Sequence, residues 1–176
     1  MDKTAADLEA ADKAVSDRDE RAKLWGDAIK GSVSELEPLA KHLRERLFNY
    51  PMTLRRRKQL EELSFQDPLD ADQALLQWFD VGYLEWRGDA GTPSRQFPEA
   101  DLAFIRKMVQ TRHILVHSRG VVDQNYLDRG GDKQFQLGER IRPRSKEARR
   151  FIALARTLGA NLMDNVENED FLRGGS

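Results

Sequence analysis

Apolar residues recur at intervals of three and four through most of the chain, which is the periodicity of amphipathic helices. Capping and helix-breaking residues divide this pattern into six predicted helices, at about residues 4–30, 32–49, 54–65, 71–83, 98–118 and 146–166. The Gly- and Pro-rich stretch 88–98 predicts a loop, and alternation around Gly138 predicts a short hairpin or an extended connection before the last helix. The pattern therefore predicts an all-α fold, a helical bundle of five or six helices.

The first predicted helix carries a heptad-like seam between a capping box at Thr4 and Asp7 and a break at Gly31-Ser32. The seam positions are Leu8, Ala11, Val15, Arg18, Ala22, Trp25 and Ile29. Small residues and one arginine make it a weak coiled coil, so the helix is interpreted either as docking on the bundle or as a dimerisation arm. We expect an N-terminal amphipathic helix at 1–30, a helical bundle at 31–168 and a disordered tail at 169–176.

Composition narrows the possible classes of protein. No segment approaches the ~20 consecutive apolar residues that span a membrane, so we expect a cytoplasmic protein with no membrane contact. The absence of cysteine excludes disulfides, thiol catalysis and cysteine-based zinc sites. The formal net charge of -1 excludes a global attraction to nucleic acid, so such binding needs a local patch. Arginine, which suits phosphate and carboxylate, outnumbers lysine by about two to one.

One arginine lies where a charge is costly. On the helix predicted at 98–118, an apolar stripe surrounds Arg112, and His113 and His117 line its edge. The stripe residues are Ile105, Met108, Val109, Leu115 and Val116. A buried guanidinium costs several kcal/mol unless an anion meets it. Arg112 therefore needs either a carboxylate from a neighbouring helix or a phosphate from outside the protein.

Two other patterns have less specific interpretations. His113 and His117 lie four residues apart, as in paired metal ligands, but Ile114 stands where metalloproteases have Glu, and His42 or a distant carboxylate would have to be the third ligand. We expect no metal site and no cofactor. The basic run at 55–58 is interpreted either as a solvated helix face, neutralised by Glu61 and Glu62, or as a nucleic-acid contact.

An extended string around Arg112 carries a family resemblance. It runs Arg112-His113-Ile114-Leu115-Val116-His117-Ser118-Arg119-Gly120-Val121-Val122-Asp123, continues to Tyr126-Leu127, and is followed by Gly138 and a helix that Ser145 is predicted to cap. This resembles the HEPN superfamily, whose signature is Arg, a polar residue, three to five further residues and His on a late helix of a four- or five-helix bundle. The resemblance covers about residues 100–165. Ser118 departs from it, because many members have Asn there.

The resemblance implies a metal-independent endoribonuclease of a toxin-antitoxin or antiviral defence system, acting as a homodimer with two facing motifs. It implies Arg112 and His117 as the catalytic pair and His113 as their polar companion. We add Arg119, with His113, as an expected substrate-binding residue. Expected partners are RNA and either an antitoxin, such as a nucleotidyltransferase, or a defence-complex protein. The alternative is a non-catalytic dimeric scaffold or binding module, because some relatives have only that role.

These residue types suit RNA cleavage without a metal. Histidine, with an ordinary pKa of ~6.5, can accept the 2′-hydroxyl proton or protonate the departing oxygen, while arginine offsets the charge on phosphorus. DNA lacks the attacking hydroxyl and should survive. Residues five apart on a helix diverge by about 140° and about 7.5 Å, so one chain cannot easily bring Arg112 and His117 to the same phosphate. Two copies crossing at a twofold axis can.

Overall fold

The structure is a computed structural model that describes residues 12–13, 15–34, 36–49, 52–64, 67–79, 85–86, 95–130, 132 and 134–167. Within those ranges the chain forms seven helices and one pair of two-residue strands. In chain order they are α1 (Arg18–Ser34), α2 (Leu36–Leu47), α3 (Leu54–Glu62), α4 (Pro68–Phe79), β1 (Glu85–Trp86), β2 (Arg95–Gln96), α5 (Glu99–His117), α6 (Gln124–Gly130) and α7 (Ser145–Glu167). The predicted all-α class is confirmed.

Short polar side chains determine where several helices begin. Asp17 Oδ1 accepts hydrogen bonds from the backbone N–H groups of Asp19 and Glu20 at 2.7 and 2.9 Å, so α1 begins at Arg18. Thr53 caps α3 in the same way. Asp67 Oδ1 accepts the N–H of Leu69 at 3.1 Å, and Pro68 occupies the first position of α4, where its missing N–H costs nothing.

The first predicted helix has the wrong boundaries. Residues 15–17 are not helical, because Asp17 caps a new helix there. At the other end, the predicted break is wrong, because α1 continues through Gly31 and Ser32. Ser32 does not cap a new helix there, since its Oγ donates a hydrogen bond to the Ile29 carbonyl at 2.8 Å. The Thr4–Asp7 capping box, the seam positions Leu8 and Ala11, and the tail at 169–176 lie outside the described residues.

The segments next to α5 also differ in detail from the predicted pattern. The antiparallel pair Glu85↔Gln96 and Trp86↔Arg95 occupies part of the expected loop, whose residues 88–94 lie outside the described ranges. The connection after α5 contains the additional helix α6, then an extended segment joined by one bridge, Val121↔Arg140. Ser145 is the first residue of α7 and not its cap, because Arg144 supplies the carbonyl that accepts the Ala148 N–H.

The chain divides into two compact units. Unit 1 comprises Met1–Ser32 and Phe104–Ile152, and unit 2 comprises Val33–Ala103 and Ala153–Ser176. The core of unit 1 includes Trp25, Ile29, Ile105, Met108, Ile114, Tyr126 and Phe151. The core of unit 2 includes Leu43, Leu47, Leu60, Leu75, Ala155, Leu158 and Leu162. Apolar periodicity predicts Phe151, Ala155, Leu158 and Leu162 as the inward positions of α7, and all four are buried. The domain boundaries predicted from the sequence stay predictions.

The packing of α5 changes along its length. Ile105, Met108 and Val109 are buried as predicted, but Val116 is 46% exposed, so the predicted stripe is wrong at its end. The cause is Ile114, on another side of the helix. Ile114 packs in a cluster with Val122, Tyr126 and Ile141, which follow α5 in the chain and fold back on it. The last turn of α5 therefore faces the core through Ile114 and leaves the Val116 side at the surface.

Candidate active site and basic cavity

The predicted motif lies at the C-terminal end of α5 in unit 1. The Ile114 carbonyl accepts the N–H groups of both Ser118 at 2.9 Å and Gly120 at 2.8 Å, so the chain turns back on the last turn of the helix. This ending places Arg119 at φ 53° and Gly120 at φ 80°. Arg119 thus adopts a left-handed conformation that non-glycine residues rarely take, directly after the motif.

The two motif histidines lie side by side. The ring centroids of His113 and His117 are 4.7 Å apart, their planes are inclined at 47°, and both side chains are exposed. One helical turn separates them, so their proximity follows from the helix itself. No third histidine or carboxylate of the described residues joins them in a group that could hold a metal ion. The geometry provides two adjacent, solvent-accessible imidazoles.

Arg112 is half-buried, and no residue in the described part of the chain pairs with its charge. Its Nε is buried without a hydrogen-bond partner, and Arg112 forms no ion pair with any residue in the described ranges. One of the two alternatives for Arg112 was a carboxylate from a neighbouring helix. The described part of the chain therefore contains no carboxylate that pairs with it. The charge of this guanidinium is therefore not neutralised by a described residue, and it can attract an external anion.

A continuous surface combines these groups. Arg112 and Val116 form one row at i and i+4 on α5, and His113 and His117 form the adjacent row. We refer to these four residues as the motif face. It contains one cation, two exposed imidazoles and one exposed aliphatic side chain. Arg119 follows it at the helix end and is also exposed.

Known proteins do not identify this arrangement. Comparison of the chain with protein-family models, curated proteins and solved structures gives no match. Function must therefore be inferred from the residues at the motif face and from their surroundings. Within the described residues, no helix has the length and apolar character needed to cross a bilayer.

A network of ionic groups lies on another side of α5. Lys107 Nζ contacts Asp132 Oδ2 at 3.0 Å and Glu147 Oε1 at 2.9 Å, and Asp132 also accepts a bond from the Tyr126 hydroxyl at 3.4 Å. Burial alone would lower the pKa of Lys107, but its hydrogen bonds with Glu147 and Asp132 outweigh burial and raise that pKa. Burial raises the pKa of Tyr126. Lys107 and Tyr126 therefore keep their protons, and the network links α5, α6 and the start of α7.

The same unit contains a basic cavity of about 610 Å³. Six cationic side chains line it, opposed by the carboxylates of Asp12 and Glu147. The cations are Arg18, Arg21, Lys107, Arg140, Arg142 and Arg144. No residue of the motif face lines the cavity, and neither does Arg119. These six cations were not predicted as a group from the sequence, although arginine recurs at positions 140, 142 and 144.

The basic run on α3 has the environment of a solvated helix face. Arg57 Nε lies 3.8 Å from Glu61, and Lys58 Nζ lies 3.7 Å from Glu62, with all four side chains more than half exposed. The Arg57 guanidinium also stacks 5.0 Å from the centroid of the Phe48 ring. These i,i+4 pairs agree with the first of the two interpretations.

Proposed function

We propose that this protein is a metal-independent endoribonuclease that acts as a homodimer and resembles HEPN domains in its motif. The observation that carries the proposal is Arg112, a half-buried guanidinium with a buried, unpartnered Nε and no ion pair in the described part of the chain. A substrate phosphate would supply the missing anion. The adjacent exposed imidazoles of His113 and His117 would supply proton transfer at the same surface.

The chemistry assigns each side chain a role. One His117 takes the proton of the 2′-hydroxyl, whose oxygen attacks the neighbouring phosphorus. Arg112 binds the non-bridging oxygens as negative charge builds there. A second His117 gives a proton to the departing 5′-oxygen, and the products are a 2′,3′-cyclic phosphate and a 5′-hydroxyl. His113 and Arg119 bind flanking phosphates.

The exposed side chain of Val116 supports the dimer. An aliphatic residue at the centre of the motif face, one turn from Arg112, gains by packing against its copy across a twofold axis. Such a crossing brings two Arg112 and two His117 into one cleft, which the helical geometry of a single chain does not favour. The substrate site would then be composite, with residues from both protomers.

This activity fits a toxin or an antiviral effector, whose partner would be an antitoxin, such as a nucleotidyltransferase, or another protein of the defence complex. The second candidate is a non-catalytic dimeric scaffold. It is favoured by the exposure of both imidazoles, since no described residue orients either ring by a hydrogen bond. In that case the motif face would be used only for assembly.

RNA cleavage in the presence of EDTA tests the proposal. The purified protein is incubated with mixed-sequence RNA and with DNA of the same sequence, alongside Arg112→Ala and His117→Ala. The matched control is His42→Ala, which removes an exposed imidazole from α2 in unit 2. We expect RNA cleavage that EDTA does not inhibit, intact DNA, and losses of about 100-fold or more in both motif variants. The control should cleave like the wild type.

Three outcomes contradict the nuclease. Cleavage that EDTA abolishes would indicate a metal-dependent hydrolase. Equal activity of the motif variants and the wild type would remove Arg112 and His117 from the mechanism. No cleavage of a broad panel of RNAs by a protein that is dimeric in solution would favour the scaffold.

A further inference from the structure

We propose that the basic cavity of unit 1 binds a small ligand that carries two or more phosphate groups. Its lining holds six cationic side chains and two carboxylates, although the whole chain is nearly neutral with a formal charge of -1. A concentration of one sign of charge within a concave site raises the potential there and attracts anions. The excess of positive charge is therefore local to this cavity.

Several of these cations are not neutralised within the described chain. Lys107 is paired with Asp132 and Glu147, and Arg142 Nη2 lies 3.2 Å from Asp19. By contrast, Arg18, Arg140 and Arg144 form no ion pair with a described residue. Arg21 donates from Nε to the Val15 carbonyl at 2.5 Å, a bond that leaves its charge uncompensated. These four side chains are exposed, so solvent screens their mutual repulsion in part, and an anion bound between them would lower it further.

The arginines come from two walls and converge on one space. Arg18 and Arg21 are one turn apart on α1. Arg140, Arg142 and Arg144 belong to the segment before α7, and all three line the cavity. That segment is anchored by Ile141, which is buried in the cluster around Ile114. Arginine forks on two facing walls can bind separate phosphate groups in bidentate fashion.

The start of α7 strengthens the preference for an anion. Arg144 immediately precedes the first residue of this helix, and Ser145 and Glu147 of its first turn line the cavity. Arg144 has no side-chain acceptor with which to cap the first N–H groups of α7. A phosphate beside Arg144 would accept those bonds in addition to the guanidinium contacts.

The form of the site favours a small ligand over an RNA strand. A volume of about 610 Å³ lies in the range of small-molecule sites. Ala22, Phe135 and Pro143 line the cavity and are partly exposed, so they give it apolar surface that phosphate groups alone do not use. Proteins that bind single strands instead arrange their cations along a groove with exposed aromatic rings. We therefore assign the cavity to a small molecule with several phosphates and an apolar portion.

Isothermal titration calorimetry with inorganic tripolyphosphate tests the proposal at constant ionic strength, with sulfate as the reference anion. The full chain is compared with Arg140→Gln/Arg144→Gln and with the matched control Arg55→Gln/Arg56→Gln, which removes the same charge from the exposed face of α3. We expect one tripolyphosphate per chain, bound at least about tenfold more weakly by the cavity variant and with unchanged affinity by the control. The melting temperature should rise with tripolyphosphate only where the cavity is intact.

Two results would overturn the proposal, because each would mean that tripolyphosphate binds only through general electrostatic attraction. One is an equal loss of tripolyphosphate affinity in the cavity variant and the control, and the other is equal affinity of the wild type for sulfate and tripolyphosphate. A short oligoribonucleotide that binds through Arg140 and Arg144, and that tripolyphosphate does not displace, would overturn it in favour of an RNA path. The same titration in His117→Ala separates this proposal from the nuclease, because the cavity contains no motif residue. Ligand binding there is expected to be unchanged even if the protein cleaves no RNA.

Discussion

Ile141 donates its backbone N–H to the carbonyl of Gly120 at 2.8 Å, which ties the arginine-bearing wall of the cavity to the residue that follows the motif helix. Val122 donates to the Glu139 carbonyl at 2.8 Å and completes a short antiparallel bridge. Gly138 also donates to the Val122 carbonyl at 2.9 Å, so three backbone bonds tie the residues that follow α5 to a segment about twenty residues further along the chain. The motif face and the basic cavity share this support within unit 1.

Backbone strain at this junction gives the first prediction. Arg119 has φ 53°, a conformation that costs an L-residue roughly 1–2 kcal/mol, so Arg119→Gly should raise the free energy of unfolding by up to about 1 kcal/mol. Gly120→Ala should have the opposite effect, because its φ is +80° and an added Cβ would lie 3.2 Å from the Ile141 carbonyl oxygen. Urea denaturation measures both. A loss of stability in Arg119→Gly would show that the arginine makes contacts that outweigh its strain.

The second prediction concerns the unpartnered guanidinium. Arg112→Met keeps most of the side-chain volume and removes a charge that has no ion pair in the described chain, so the free energy of unfolding should stay within about 1 kcal/mol of wild type or increase. Breaking a buried salt bridge would instead cost about 3–5 kcal/mol. Urea denaturation at fixed protein concentration distinguishes these results. A loss in the larger range would mean that Arg112 is a structural residue with an internal acidic partner.

The third prediction concerns assembly through the motif face. Val116→Glu places a charge at the centre of the proposed twofold contact and should weaken the dimer at least about 100-fold. Leu137→Glu is the matched control, since Leu137 is 63% exposed in unit 1 and lies outside the motif face. Sedimentation velocity over a range of concentrations measures the association. A dimer that survives Val116→Glu, or a wild type that is always monomeric, would contradict the composite site.

The fourth prediction tests the ionic network of Lys107, Asp132 and Glu147. Lys107→Met would leave Asp132, whose side chain is 6% exposed, without its cation. Because the Lys107 side chain is 23% exposed, we expect the free energy of unfolding to fall by about 2–3 kcal/mol, which is less than the loss for a fully buried pair. Lys58→Met breaks a pair whose side chains are 75% and 68% exposed, so it should cost less than about 0.5 kcal/mol. Similar losses in the two variants would show that the network contributes little to the fold.

Periodicity and capping residues predicted much of the fold. The all-α class, the buried positions of α7 and the approximate bounds of α3 to α5 followed from local signals that the structure retains. The errors occurred where a polar residue had two possible roles. Ser32 bonds back to the Ile29 carbonyl within α1 and does not start a new helix, and Asp17 caps α1 in the middle of the apparent seam.

The functional surfaces differ in how far the sequence could predict them. The proximity of His113 and His117 follows from helical spacing, and the charge cost at Arg112 follows from the apolar residues around it. The exposure of Val116 depends on the later segment that covers Ile114, so local periodicity could not predict it. The cavity joins Arg18 with arginines about 120 residues further along the chain, and only the fold brings such positions together.

The chemistry of the cleaved ends tests the central claim most directly. RNA of defined sequence is digested in EDTA by the wild type and by His117→Ala, and the products are identified by mass spectrometry. We expect 2′,3′-cyclic phosphate and 5′-hydroxyl ends from the wild type, a rate at least about 100-fold lower for the variant, and no cleavage at a linkage whose 2′-hydroxyl is replaced by hydrogen. Ends with 5′-phosphate, cleavage of the deoxy linkage or equal rates for the two proteins would contradict the assignment of Arg112 and His117 to metal-independent RNA cleavage.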